Sequence, residues 1–114
     1  MRQVLIVAPD SDLQRSLQFA LEAEGLRVVV AGRIDDSRVT STGFDCTILD
    51  HHAANADRDA AIAFCDLLRP VVLLANSPGH PLSPFAYRVV LKPLLGPALA
   101  AAVDAAIASR SNPT

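Results

Sequence analysis

Five short apolar runs constrain the fold of this chain more than any other feature of its sequence. They are separated by segments with helical or turn character and lie at residues 4–8, 26–31, 44–50, 71–75 and 89–91. Strands that are apolar along their whole length are typical of parallel sheets, because helices cover both faces of such a sheet. Runs of this kind that alternate with amphipathic segments predict an α/β protein.

The segment after the first run has the signals of an amphipathic helix. Ser11 is a candidate N-cap, and Gln14 lies three residues later, at the spacing of a capping box. Gly25 suits the position just past a helix end. Apolar residues between them recur on one helical face: Leu13, Leu17, Ala20 and Leu21. A helix is therefore predicted between the first two strands.

Two further helices are predicted. One follows a polar, alanine-rich loop, where Asn55 or Asp57 is the candidate cap, and Pro70 stops it. The last helix starts near Pro97 and is predicted to bury four residues at helical spacing: Leu99, Val103, Ala106 and Ile107. Residues 35–43 contain poor helix formers, so a short or irregular helix is expected there.

Prolines interrupt the pattern before the fifth run. Residues 76–87 contain Pro78, Pro81 and Pro84, which exclude a regular helix of ordinary length. The fourth helix is therefore expected to be shortened or replaced by a proline-rich loop. With right-handed crossovers, five strands in a chain of this length favour a flavodoxin-like, doubly wound parallel sheet of order 2-1-3-4-5, with helices on both faces.

Composition limits the class of protein. The 114 residues suffice for one domain, predicted over residues 1–110 with a polar tail at 111–114. The net charge of −2 gives no reason to expect nucleic acid or an anionic membrane as a partner, and no apolar run approaches the ~18 residues of a membrane span. Cys46 and Cys65 fall at apolar positions, as expected of buried free thiols. A cytoplasmic protein is expected.

Candidate functional residues follow the strands. Asp50 ends the third run and Lys92 directly follows the fifth. The carboxyl ends of parallel strands lie at one edge of the sheet, where ligands bind in open α/β folds. Asp50 and Lys92 are therefore expected to face one small cleft, together with the residues that end the first and fourth strands.

The ordered set of segments VLIV, EAEGLRVVVA, FDCTILD, PVVLLA and VVLKP resembles the receiver domain of bacterial response regulators. The resemblance spans nearly the whole chain. It implies that Asp50 holds the phospho-acceptor position and that Lys92 contacts the phosphoryl group. Pro93 matches a proline whose preceding peptide bond is usually cis in this family.

Several positions depart from the family pattern. Ala8 and Pro9 stand where the family places two adjacent acidic residues that hold a divalent cation. Ala75 replaces the hydroxyl residue that moves onto the phosphoryl group, and Val89 replaces the switch aromatic. The resemblance therefore implies a degraded metal site and a degraded signalling mechanism.

No cofactor is expected unless the metal site is rebuilt. Asp10 and Asp50 would be the carboxylate ligands of Mg²⁺ if the side chain of Asp10 turned back toward the site. Asp10 is better explained as a cap or first-turn anion of the first helix.

Histidines raise a second metal hypothesis. His51 and His52, with Cys46 and His80 elsewhere, are residue types that bind zinc, but their spacing matches no zinc motif. We therefore expect His51 and His52 to be solvent-exposed loop residues.

The favoured interpretation is a non-enzymatic, atypical receiver domain in two-component phosphorelay signalling. It would act by contact with a histidine kinase, a phosphotransfer protein or another regulator, because no output segment is recognised after residue 110. A homodimer through the fifth strand, last helix and proline loop is also possible. One alternative is a working receiver phosphorylated on Asp50, and a more distant one is an unrelated flavodoxin-like protein that binds a small anion.

Overall fold

The computed structural model describes residues 2–35, 43–54, 57–77, 79–92 and 98–111. Five strands and three α-helices alternate along the chain: β1 (Gln3–Val7), α1 (Ser11–Ala23), β2 (Arg27–Ala31), β3 (Cys46–Asp50), α2 (Arg58–Leu67), β4 (Val71–Ala75), β5 (Arg88–Leu91) and α3 (Ala98–Ser111). Two short 3₁₀-helices, His51–Ala54 and Ser83–Phe85, follow β3 and precede β5.

The strands form one parallel sheet in the order β2-β1-β3-β4-β5, which confirms the predicted topology. Asp50 at the end of β3 is in register with Leu74, and Ala75 at the end of β4 is in register with Leu91. The carboxyl ends of the central strands therefore meet at one edge. This register brings Asp50 and the residue after β5 into the same region.

The core has two layers because successive strand residues point to opposite faces of the sheet. In β1, Val4 and Ile6 belong to the cluster covered by α1 and α3, whereas Leu5 and Val7 belong to the cluster covered by α2. β1, β3 and β4 are fully buried or nearly so, as their continuous apolar runs predict. From α3, the four predicted core residues are all buried: Leu99, Val103, Ala106 and Ile107.

Of the two cap candidates predicted for helix α1, the structure confirms Asp10 and not Ser11. Asp10, rather than Ser11, is the N-cap, and its Oδ1 accepts from the backbone N–H groups of Asp12 at 2.8 Å and Leu13 at 3.3 Å. Ser11 is already the first helical residue. Gln14 closes no capping box, because its side-chain amide donates to the carbonyl of Ala8. The helix had two adjacent polar residues available, and the carboxylate is the stronger acceptor for two N–H groups.

The other helix ends agree with the sequence. Gly25 has a φ of +84° just after α1, as expected for a C-terminal cap. Asp57 is the N-cap of α2 and accepts from Ala60 N at 3.1 Å. In the described part of 76–87, helical structure is limited to the 3₁₀-helix, so the fourth helix is shortened as predicted.

Some predictions fall outside the described residues. They concern the weak segment at 36–42, the alternative cap Asn55, the cis bond before Pro93, the helix start near Pro97 and the tail at 112–114.

Both cysteines are buried and free, and burial raises the pKa of Cys46 to about 12 and that of Cys65 to about 11. Among the described helices, none combines the length and apolarity that a membrane crossing requires.

Candidate functional site

An ion pair lies at the carboxyl edge of the sheet. Lys92 Nζ donates to Asp50 Oδ1 at 2.7 Å. The side chain of Asp50 is only 1% exposed and that of Lys92 is 21% exposed. The backbone N–H of Lys92 donates to the carbonyl of Ala75 at 2.9 Å, which extends the β4–β5 pairing to Lys92 and fixes the start of its side chain. The structure thus brings together the two residues predicted to face one cleft.

Burial makes this pair mutually dependent. An unpaired carboxylate at the position of Asp50 would cost several kcal/mol of desolvation. The ammonium group of Lys92 offsets that cost with a short, charge-assisted hydrogen bond. Lys92 therefore helps to hold the buried Asp50 carboxylate in place.

His51 is buried, contrary to the expectation of an exposed loop residue. Its side chain is 11% exposed and its Nδ1 lies 3.0 Å from the carbonyl oxygen of Leu74. His52 is 55% exposed, as expected. The expectation failed for His51 because β3 passes directly into a 3₁₀-helix without an intervening loop, which folds the ring back over β4. The sequence signal was the absence of any turn residue between Asp50 and Ala53.

Both imidazoles lie beside the carboxylate. Nδ1 of His51 is 3.4 Å from Asp50 Oδ1, and Nδ1 of His52 is 3.4 Å from Asp50 Oδ2. The two rings stack at a tilt, with centroids 4.0 Å apart. Each oxygen of Asp50 therefore faces a histidine, and Oδ1 faces Lys92 as well.

A hydrogen bond fixes the tautomer of His51. The carbonyl of Leu74 can only accept, so Nδ1 of His51 carries a proton, and Nε2 is the nitrogen that would hold the lone pair of a neutral ring. His80, whose ring makes an edge contact with His51 at 5.6 Å, has the opposite tautomer, because its Nδ1 accepts from Leu82 N at 3.1 Å. Burial, followed by the neighbouring His51 and Arg58, lowers the pKa of His80.

The neighbouring strands end in small apolar residues. Ala8, directly after β1, and Ala75, the last residue of β4, are both fully buried. Pro9 is exposed, and the carboxylate of Asp10 caps α1. Val89, in β5, is half-buried and packs against the core cluster under α2.

The resemblance to receiver domains implies a bound Mg²⁺ ion. The side chains near Asp50 can be compared with the ligands that Mg²⁺ prefers. Asp50, His51 and His52 each offer one ligand atom, and these atoms all lie within 4.8 Å of one another. Mg²⁺ prefers an octahedron of oxygen ligands, and carboxylates normally supply them. One carboxylate and two imidazoles do not fit that preference, and Asp10 is not a member of the group.

Comparisons with known proteins agree with this architecture. No family model and no curated protein matches the sequence. Solved structures do match. One is a response regulator receiver domain protein from Clostridium thermocellum, with a TM-score of 0.83, 17% identity and full coverage of both chains.

Two further matches are also response regulators. One, from Clostridium difficile, has a TM-score of 0.75 and 21% identity, and the alignment covers 98% of this chain and 99% of that one. The other, from Thermotoga maritima in complex with Mg(2+)-BeF, has a TM-score of 0.75 and 20% identity over 92% of this chain and 98% of that one. At these identities the likeness concerns the fold: the chain has the five-stranded α/β fold of response-regulator receiver domains.

Proposed function

We propose that this chain is an atypical receiver domain of two-component signalling that acts through protein contact. In this proposal Asp50 holds the phospho-acceptor position, but its pair with Lys92 is mainly structural and phosphotransfer is weak or lost. The observation that supports it best is the buried 2.7 Å pair at a sheet edge where Ala8 follows β1 and Ala75 ends β4.

The small number of cations near Asp50 is the reason to expect weak phosphotransfer. Transfer of a phosphoryl group to a carboxylate brings two anions together, and a metal ion or fixed cations must offset their repulsion. Lys92 is a fixed cation, but it is a single one. The nearby donors, His51 and His52, suit Mg²⁺ poorly. The attacking carboxylate would therefore meet the phosphoryl donor with little cation assistance.

Signal transmission would also differ from that of the family. Ala75 has no hydroxyl that could move onto a phosphoryl oxygen. Val89 has no aromatic ring that could change position when such a hydroxyl moves. A domain with these two residues has few means to pass a change at Asp50 to its surface. A constant surface is consistent with an interaction module.

The proposed contact face consists of β5, α3 and residues 79–87. Three large side chains there are substantially exposed: Phe85, Tyr87 and Leu91. Phe85 and Tyr87 line a groove of about 740 Å³ that Ser109 of α3 also borders. Exposed apolar and aromatic residues of this kind are typical of protein interfaces. A histidine kinase, a phosphotransfer protein, another regulator or a second copy of this chain would bind there.

The alternative is a working phospho-acceptor. The contact between Lys92 and Asp50 at the carboxyl edge of the sheet favours it, since that is the geometry the resemblance implies for a receiver. A histidine kinase or phosphotransfer protein would then phosphorylate Asp50.

One experiment separates the two proposals. The purified protein is incubated with acetyl phosphate and Mg²⁺, and the phosphorylated fraction is measured by intact mass spectrometry, with Asp50→Asn as the control. We expect little or no adduct in either protein. A stoichiometric, Mg²⁺-dependent adduct that is absent from Asp50→Asn would contradict the interaction-module proposal and establish the phospho-acceptor.

A further inference from the structure

The proposed function leaves two side chains unexplained. A receiver domain that only presents a surface has no use for two imidazoles on a buried carboxylate. Yet His51 and His52 approach the two oxygens of Asp50, one each, at 3.4 Å. Carboxylate and imidazole are both ligands of first-row divalent metals.

The distance between His52 and Asp50 is informative. It is long for a hydrogen bond between nitrogen and oxygen, for which about 2.9 Å is usual. Ligand atoms bonded to a tetrahedral Zn²⁺ ion at ~2.0–2.1 Å are separated by about 3.4 Å. Nδ1 of His52 and Oδ2 of Asp50 already have that separation of 3.4 Å. An ion can therefore bridge these two atoms with little rearrangement.

His51 has the tautomer of a metal ligand. Histidines that bind metals commonly donate their other ring N–H to a carbonyl or carboxylate, which fixes the ring and directs the free lone pair at the ion. Nδ1 of His51 donates to the carbonyl of Leu74 in this way, so Nε2 is the nitrogen that a neutral ring would offer to an ion. One ligand atom from each of the three residues lies within 4.8 Å of the other two, whereas ligand atoms on a tetrahedral Zn²⁺ ion are about 3.4 Å apart. The side chains must therefore move together by a distance on the order of 1 Å, and the His51 ring must turn if Nε2 is the atom that binds.

The two oxygens of Asp50 have different partners. Oδ1 accepts from Lys92 at 2.7 Å, which leaves Oδ2 as the oxygen directed at His52. An ion on Oδ2 therefore does not require the Lys92 pair to break. His80 is not a ligand, because its Nδ1 accepts from Leu82 N and its Nε2 carries the proton.

We propose that Asp50, His51 and His52 form a binding site for Zn²⁺ or a similar nitrogen-preferring divalent cation. Three protein ligands leave the fourth position of the tetrahedron for water or a partner's side chain. The site selects against Mg²⁺, which requires more oxygen ligands than the cluster offers. The inference does not depend on the proposed function, because it involves neither a phosphoryl group nor a partner protein.

The test is a titration of the whole purified chain with Zn²⁺, and separately with Mg²⁺, by isothermal calorimetry. We expect one Zn²⁺ per chain and no saturable Mg²⁺ binding at this site. His52→Gln should weaken Zn²⁺ binding at least about tenfold, since loss of even an outer-sphere partner costs 10–100-fold in affinity. His52 is more than half exposed, so this variant should keep the native fold.

The matched control is His80→Gln, which alters a histidine that contacts the His51 ring but is not one of the three proposed ligands. Its Zn²⁺ affinity should stay within about threefold of the unmodified chain. Bound Co²⁺ gives a second readout, because a tetrahedral site produces intense visible bands that His52→Gln should remove. Equal Zn²⁺ affinity in His52→Gln and the unmodified chain would overturn the proposal, as would Mg²⁺ binding of comparable strength. Zinc and phosphorylation are assayed separately, so either proposal can fail alone.

Discussion

At the scale of single residues, the Asp50 carboxylate decides most of what this site can do. It is almost wholly buried and forms its shortest contact with Lys92 Nζ. Its neighbours on the ends of β1 and β4 are alanines. A buried charge of this kind depends on its partner far more than an exposed one does.

The first prediction concerns that dependence. Lys92→Met should lower the free energy of unfolding by about 3 kcal/mol, because it leaves the Asp50 charge buried without its cation. Urea denaturation measures the change. The double variant Asp50→Asn/Lys92→Met should recover part of the loss, since it removes both charges. If Lys92→Met has the stability of the unmodified chain, the pair does not have the structural role proposed for it.

A second residue-scale prediction concerns Thr47. Within the described part of the chain, its Oγ1 is a buried side-chain oxygen without a hydrogen-bond partner. Desolvation of an unpaired hydroxyl costs on the order of 1 kcal/mol or more. Thr47→Val keeps the shape of the side chain and should raise the free energy of unfolding by about 1 kcal/mol. An unchanged or lowered urea midpoint would show that the hydroxyl has a favourable contact.

At the scale of elements, the start of α1 determines the role of Asp10. Its carboxylate accepts from two backbone N–H groups of the first helical turn. A side chain used in this way stabilises the helix and also complements the positive end of its dipole. The cap and a metal-ligand role therefore compete for one side chain.

Substitutions at this cap distinguish the two roles. Asp10→Ala should lower the free energy of unfolding by about 1 kcal/mol, whereas Asp10→Asn should have little effect because asparagine caps nearly as well. Ser11→Ala is the matched control and should also have little effect, since Ser11 is not the cap. The measurement is thermal or urea unfolding. A Zn²⁺ or Mg²⁺ affinity that fell in Asp10→Asn would contradict the capping interpretation.

At the scale of the whole molecule, receiver chemistry requires several strand ends at once. Asp50 ends β3, Ala8 follows β1, Ala75 ends β4 and Lys92 follows β5. The chain has the aspartate and the lysine but not the acidic pair or the hydroxyl. The weak phosphotransfer that we propose would therefore have its cause at several positions of the site rather than at one residue.

Adding the missing carboxylates tests this explanation. Ala8→Asp/Pro9→Asp supplies two carboxylates of the kind that bind Mg²⁺, and should give Mg²⁺-dependent phosphorylation by acetyl phosphate well above the weak or absent level we expect of the unmodified chain. Adding Asp50→Asn to the rebuilt protein should abolish the adduct. Pro9→Asp alone is an exposed and structurally milder version, should the buried substitution at Ala8 prevent folding. If the folded Ala8→Asp/Pro9→Asp protein still acquired no phosphate, the missing carboxylates would not explain weak phosphotransfer.

The rate at which the two cysteine thiols are alkylated measures how well the core of the whole molecule is packed. Burial raises the pKa of Cys46 to about 12 and that of Cys65 to about 11, from the ordinary 9.0. Alkylation requires the thiolate, which the native protein therefore forms only at a pH well above 9. At pH 8 we expect iodoacetamide to label neither cysteine in the native protein and both after unfolding, as read by mass spectrometry. Rapid labelling of the native protein would contradict the burial of the thiols.

The sequence by itself determined the elements and the place of the site. Five apolar runs and their spacing were enough to predict the strand order, and parallel strands necessarily bring Asp50 and Lys92 to the same edge. Those inferences rest on periodicity and chain direction, which are local or topological properties. They need no knowledge of side-chain contacts.

Only the tertiary structure decided the finer chemistry. Asp10 rather than Ser11 caps α1 because of the backbone angles at that turn, which two adjacent polar residues leave open. The buried ring of His51 is oriented by the carbonyl of Leu74, 23 positions away, which accepts its Nδ1–H across the sheet edge. Contacts between residues so far apart form only when the strands are assembled, so the orientation of the imidazole on Asp50 cannot be read from the sequence around it.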